Sequence, residues 1–276
     1  MRFTLHLRPS VSPAAFGCLL VLSALGPRLA SAEEAEGISA ASLAYVHDGV
    51  TLEAYIARPA EVDGPTPGVL IAHAWWGQGE YARHRARMLA DLGYIAVVLD
   101  MYGRDVYTDD PNVASGLAGA FYNDREAFRA RAMAGYDMLL QQADVDPDRL
   151  AAIGYCFGGT TVLELAYAGA DLVGIVPFHG NLLPPASPDD AANVTSRVLI
   201  AHGGDDPFYP NHEMLGVYER LQEAGVDVTA VVYSGAQHAF TDPGATGELQ
   251  GALYDEDADR RSWTHMRLFF DQVFSE

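Results

Sequence analysis

LAAIGYCFGG, residues 150–159, is a short apolar run that enters a glycine, presents Cys156 two residues later and opens onto a glycine pair. The run reads as a strand buried on both faces, and Gly158 with Gly159 reads as the start of a helix. A cysteine at the apex of such a strand-to-helix turn is a nucleophile elbow with sulfur in place of oxygen. The chemistry needs those glycines: the apex residue is held in a cramped backbone conformation, and a side chain at Gly154 or Gly158 would strike neighbouring backbone. The helix N-terminus beneath Cys156 favours a thiolate. One such unit implies a layered α/β sheet, and the rest of the chain can be read outward from it.

Upstream, 41–47 and 50–57 alternate in polarity around Asp48-Gly49, the signature of an antiparallel edge hairpin. VLIAH (69–73) is a buried strand, 80–92 a helix ending at Gly93, and YIAVVLD (94–100) the next strand. Downstream the pattern predicts helices over 124–142, from about 158, 211–224 and 257–273, with strands over 172–177, 197–202 and 226–233. Strands alternating with helices predict a mostly parallel central sheet with helices on both faces, in one domain spanning 33–276. Ligands on such sheets bind beyond the carboxyl ends of the strands, so the residues just after each strand carry the interest.

Two of those strand ends complete a constellation. HGGDDP (202–207) brings an acid and GAQHAF (235–240) a histidine, in the chain order nucleophile, acid, histidine that α/β-hydrolases use. His238 is placed to take the Cys156 proton and Asp206 to fix the histidine's tautomer. Asp206 is preferred to Asp205 because it directly precedes the Pro207-Phe208 turn. Taken singly, His238 also reads as a core histidine and Asp206 as a helix cap; three successive strand ends favour the triad.

GYCFGG, HGGDDPFYP and YSGAQHAF, with IAHAWWG (71–77), LDMYGR (99–104) and PFHG (177–180), resemble the motifs of the dienelactone hydrolase family, the carboxymethylenebutenolidases. The resemblance covers most of the chain and implies an α/β-hydrolase fold that cleaves carboxylic esters or lactones through an acyl-thioester on Cys156. It implies an oxyanion hole from the backbone N–H groups of Trp75 and Phe157. Two departures bear on the substrate. The family's glutamate before the first oxyanion-hole residue is Ala74 here, so Cys156 is expected to pair with His238 at rest. The family's arginine four residues past the histidine is Asp242, which would repel an anionic substrate and points to a neutral ester. Trp76, Tyr102 and His179 are candidate pocket residues, Trp75 and Trp76 being equally readable as core packing. His73 and His202 read as backbone-bonding imidazoles. No spaced His/Cys ligand set is present, so neither metal nor cofactor is expected. An acyltransferase with the same nucleophile, or a non-catalytic or redox-sensing protein on this scaffold, are the alternatives.

Residues 1–32 begin with Arg2 and Arg8, carry an apolar run from Ala14 to Leu25 and end on Ala30-Ser31-Ala32. That is the pattern of a secretory signal peptide, its apolar run of about a dozen residues being too short to span a bilayer. The expected product is periplasmic or secreted, without a membrane anchor, a monomer or small homo-oligomer, and retains Cys156 as its single cysteine. The chain has no lysine, and its 17 basic residues face 37 carboxylates for a net charge of −20. That excess argues against a nucleic-acid or anionic-membrane surface and would suit high salt, while the family resemblance implies a small-molecule ester or lactone as the partner.

Overall fold

The computed structural model describes residues 29–35 and 37–275; most of the expected signal peptide therefore lies outside the described residues. The chain begins with strands β1 (Leu29–Ala35), β2 (Ile38–His47), β3 (Val50–Pro59) and β4 (Thr66–Ala72). Helix α1 (Glu80–Asp91) and β5 (Ile95–Val98) follow, then α2 (Pro111–Tyr122), α3 (Arg125–Leu140) and β6 (Val145–Tyr155). The second half runs α4 (Phe157–Tyr167), β7 (Gly174–Phe178), α5 (Pro188–Ala192), β8 (Arg197–Gly203), α6 (Asn211–Glu223), β9 (Val228–Tyr233) and α7 (Glu256–Val273).

These form one nine-stranded sheet in the order β1-β2-β3-β5-β4-β6-β7-β8-β9. The pairings are antiparallel from β1 to β5 and parallel from β5 to β9. The Asp48-Gly49 turn has positive φ at both residues (48° and 74°), as a tight hairpin turn requires. The predicted hairpin is not the edge, because β1 pairs outside β2 and crosses the expected cleavage point at residue 32. The central strands read as unbroken apolar runs because both their faces are covered. Leu70, Ala72, Leu150, Ala152 and Ile200 pack toward α3, α4 and α6, whereas Val69, Ile71, Ile153, Val176 and Ala201 pack toward α1 and α7.

Sequence periodicity missed α2, the short α5 and β1. Gly116 and Gly119 weaken the helical signal of α2, yet its start carries one: the Asp110 side chain accepts the Asn112 N–H at 2.8 Å and Pro111 opens the helix. The chain passes from β4 to β5 on one side and then to β6 on the other. The carboxyl ends of β4 and β6 therefore flank a topological switch point, where this class of sheet binds ligands. No helix among the described residues is long and apolar enough to cross a membrane.

Candidate active site

β6 delivers Cys156 to that switch point with φ 55° and ψ −116°. A cysteine there is strained, by roughly 1–3 kcal/mol for a residue in so sparse a region. Its N–H bonds to Phe178 O on β7 (3.1 Å) and its carbonyl accepts from Gly159 (2.9 Å), so both neighbours hold the conformation. A Cβ on Gly154 would lie 1.9 Å from Gly158 O, and one on Gly158 would lie 2.1 Å from Ala72 O. The glycines thus let α4 press its first turn onto the end of β4. That contact brings Trp75, just past β4, into the same cluster as Cys156. Phe157 opens α4, so its N–H has no intrahelical acceptor.

β8 and β9 supply the other two groups. His238 Nδ1 lies 2.7 Å from Asp206 Oδ2, both residues are buried, and Asp205 is exposed. The second Asp206 oxygen accepts the N–H groups of Phe208 (2.9 Å) and Tyr209 (3.1 Å), which holds the carboxylate in place. Cys156 lies close enough to His238 to act on its charge. Burial disfavours its charged form, but the negative charges of Cys156 and Asp206 outweigh that penalty and push its pKa up to about 10. Its backbone is pinned by Gly251 O (3.1 Å) and Leu253 N (3.0 Å), from a segment with no sequence signal of its own.

The remaining candidates divide. Trp75 and Trp76 pack together, ring centroids 4.8 Å apart. Tyr102 and Tyr122 both pack on Phe157 and both feel Cys156. Burial first, then the Cys156 charge, raises the pKa of each phenol. Tyr122 hydroxyl meets Thr160 Oγ1 at 3.3 Å, whereas the buried Tyr102 hydroxyl has no partner among the described residues. His179 is buried with its ring against His238, centroids 5.2 Å apart. His73 Nε2 accepts the Met101 N–H (3.2 Å), so its Nδ1–H donates to Ala74 O (2.7 Å), the backbone role read from sequence.

Sequence reasoning missed four polar residues behind His179, namely Thr241, Tyr81, Arg85 and Asp259. Tyr81 and Arg85 stand one helical turn apart on α1 with no motif to mark them. At position 74 the carbonyl accepts from Gly77 N–H (3.1 Å) and from His73, while Glu80 on α1 pairs with Arg87. Asp242 is half-buried, accepts the Gly244 N–H at 2.8 Å, and has its pKa raised by burial. No cluster of three or more His, Cys, Asp or Glu suited to a metal ion occurs among the described residues.

The sheet order and the elbow define an α/β-hydrolase fold. Residues 52–274 match the profile of the dienelactone hydrolase family, and the chain belongs to that family. It is 30% identical over 233 residues to protein usf of Aquifex pyrophilus, covering 83% of this chain and 96% of that one. It is 31% identical over 202 residues to the "Probable 2-oxo-3-(5-oxofuran-2-ylidene)propanoate lactonase" of a Bradyrhizobium species, covering 70% and 80% of the two chains. Among solved structures, a dienelactone hydrolase-like promiscuous phosphotriesterase from metagenomic libraries superposes with a TM-score of 0.82. That protein shares 38% identity, over 86% of this chain and 99% of its own.

Proposed function

We propose that this chain is an exported hydrolase of small neutral carboxylic esters or lactones, with Cys156 as nucleophile, His238 as acid and base, and Asp206 as the residue that orients His238. The observation that carries the reading is the buried His238–Asp206 pair, with Nδ1 2.7 Å from Oδ2, set close enough to Cys156 for the two to interact electrostatically. In the attacking step His238 takes the proton from Cys156. The Cys156 sulfur forms a bond to the ester carbonyl carbon, and the electron pair of the C=O bond moves onto oxygen. Trp75 and Phe157 N–H groups donate to that oxyanion, each worth roughly 2.7–4 kcal/mol in comparable acyl transfers. Collapse breaks the C–O bond to the alcohol, which leaves with the proton from His238 and generates the acyl-thioester. Water then attacks the thioester, giving its proton to His238, and collapse expels the thiolate and the carboxylic acid.

Ala74 and Asp242 support the substrate class. Position 74 offers no carboxylate to compete with His238 for Cys156, and a carboxylate on the His238 loop disfavours anionic acyl groups.

The test is hydrolysis of short-chain p-nitrophenyl esters, a neutral enol-lactone, an anionic dienelactone and a neutral aryl phosphotriester, with and without iodoacetamide, beside Cys156→Ala. Turnover of the neutral esters is expected to fall by at least about 10⁴-fold in Cys156→Ala and on alkylation, with the anionic lactone the poorer carboxylic substrate. The phosphotriester is included because of the phosphotriesterase relative. Ester turnover that survives both treatments would sink the nucleophile assignment.

A further inference from the structure

His179 bears two costs at one position. It is a non-glycine residue with φ +39°, and its fully buried Nδ1 has no hydrogen-bond partner among the described residues. The backbone is held there on both sides: Phe178 O accepts the Cys156 N–H, and the His179 N–H donates to Ala201 O on β8 at 2.8 Å. The residue thus joins the nucleophile's turn to the strand that leads to Asp206. Costs of this kind on a side chain that touches His238 call for a functional account.

A hydrogen-bond chain runs from His179 to Arg85. Its Nε2 lies 2.7 Å from Thr241 Oγ1, and Thr241, three residues past His238, is fully buried. Thr241 Oγ1 lies 2.6 Å from Tyr81 OH. The far end is anchored by Arg85, which has donors only. It donates Nε–H to Tyr81 OH (3.3 Å) and Nη2–H to Thr241 O (2.8 Å) and to the Asp259 carboxylate. With Tyr81 accepting from Arg85, a chain that places the Tyr81 proton on the short bond to Thr241 has Thr241 donate to His179 Nε2 and leaves the His179 proton on Nδ1.

The surroundings keep that ring uncharged. His238 and Phe240 pack on it edge to face from the loop after β9, each at 5.2 Å, and Tyr155 of β6 lies at 6.0 Å. Arg85 and Tyr81 face this cluster from α1, Asp259 from α7 through Arg85, and His202 from β8. Burial first, then the charges of His238, Arg85 and His202, hold the His179 pKa well below the ordinary histidine range.

We propose that His179 is a positioning residue for the reaction: held as the neutral Nδ1–H tautomer by the chain from Arg85 through Tyr81 and Thr241, it gives His238 an uncharged wall beside which to carry the proton taken from Cys156. This rests on His238 being the acid and base of the proposed function. A charged His179 would set two positive rings in contact and favour return of the proton to Cys156.

Two readouts test it on the full-length protein and the variants Tyr81→Phe, Thr241→Val and Thr241→Ser. The first is nitrogen-15 histidine NMR between about pH 5 and 9, the range that spans histidine titration, with His179 assigned by the signal lost in His179→Gln. The wild type and Thr241→Ser, which keeps the hydroxyl, are expected to show the Nδ1–H tautomer throughout. In Tyr81→Phe the direction is unlocked, so His179 takes the Nε2–H form or a second proton within that range. Thr241→Val cuts the chain at its other bond and does the same if Tyr81→Phe folds poorly. The second readout is the pH profile of p-nitrophenyl ester hydrolysis. Its acid limb is expected to move to higher pH by about one unit in Tyr81→Phe and to stay in place in Thr241→Ser, with kcat changing more than KM. An Nε2–H or charged His179 in the wild type, or a Tyr81→Phe profile that superposes on the wild type, overturns the inference. If no ester is turned over, the proposed function fails while the NMR still decides the tautomer.

Discussion

Two clusters of buried arginine and carboxylate lie on opposite faces of the sheet. On the α3–α4 face, Glu164 is fully buried and bonds Arg125 and Arg129, the latter at 2.8 Å. Arg129 continues to Asp190, and both arginines sit over the Tyr167 ring. On the α1–α7 face, Arg85 pairs with Asp259 and is ringed by Tyr81, Tyr155 and Trp263. The chemistry is the same, but the endings differ. The first cluster terminates on backbone of the 184–190 loop, through Pro184 O and Ala186 N–H, and ties α3, α4 and α5 together. The second terminates at Thr241 and His179, against His238. Buried charge serves assembly in one case and sets proton positions in the other, and only the endpoint distinguishes them.

The largest effect should come from cutting the assembly cluster. Glu164→Ala leaves two arginines without their shared buried partner and is expected to cost about 3–5 kcal/mol of stability, read by thermal or urea unfolding. Ester turnover per folded molecule should stay within about twofold, since nothing in that cluster touches Cys156, His238 or Asp206. A marked loss of turnover in the folded fraction would break the comparison. Arg85→Met should do the reverse in proportion: Asp259 is 15% exposed and can rehydrate, so the stability loss should be about 1–3 kcal/mol. Turnover should nevertheless fall about tenfold or more as the chain to His179 loses direction.

The smallest effect is in pH dependence, and it separates the clusters by range. His73, His179 and His202 have pKa values lowered by burial, so the unfolded chain binds protons that the folded one refuses. Their contribution is present above about pH 6.5 and lost as pH falls below it. His179→Gln should make that slope shallower. Asp190 is held down to about 2, chiefly by Arg129, so its contribution persists until pH falls from about 3.9 toward 2. Arg129→Met should remove that lower step and leave the upper one, as followed by unfolding free energy against pH.

Much of this molecule was legible in its residues. The buried strands betray themselves as unbroken apolar runs because a sheet covered on both faces tolerates nothing else, and Gly154 and Gly158 mark the elbow because no Cβ fits there. Asp206 and His238 stood out because each comes within a few residues of a strand end, Gly203 of β8 and Tyr233 of β9. What was not legible depends on side chains that meet across the fold. Tyr81 and Arg85 look like ordinary helix positions, and Thr241 like one polar residue in a loop. The segment around Gly251 and Leu253 that pins His238 carries no pattern either.

Taken alone, then, the sequence determined the α/β layering and the chain order in which Cys156, Asp206 and His238 arrive at successive strand ends. Those features are local in spacing and composition, and local spacing is what a sequence displays. The tertiary structure decided which carboxylate meets His238, which histidine serves backbone and which lies beside His238, and which of two similar charge clusters reaches the site. Those outcomes turn on contacts of a few ångströms between residues as far apart as Arg85 and Asp259, a separation that only the folded sheet and its packed helices close.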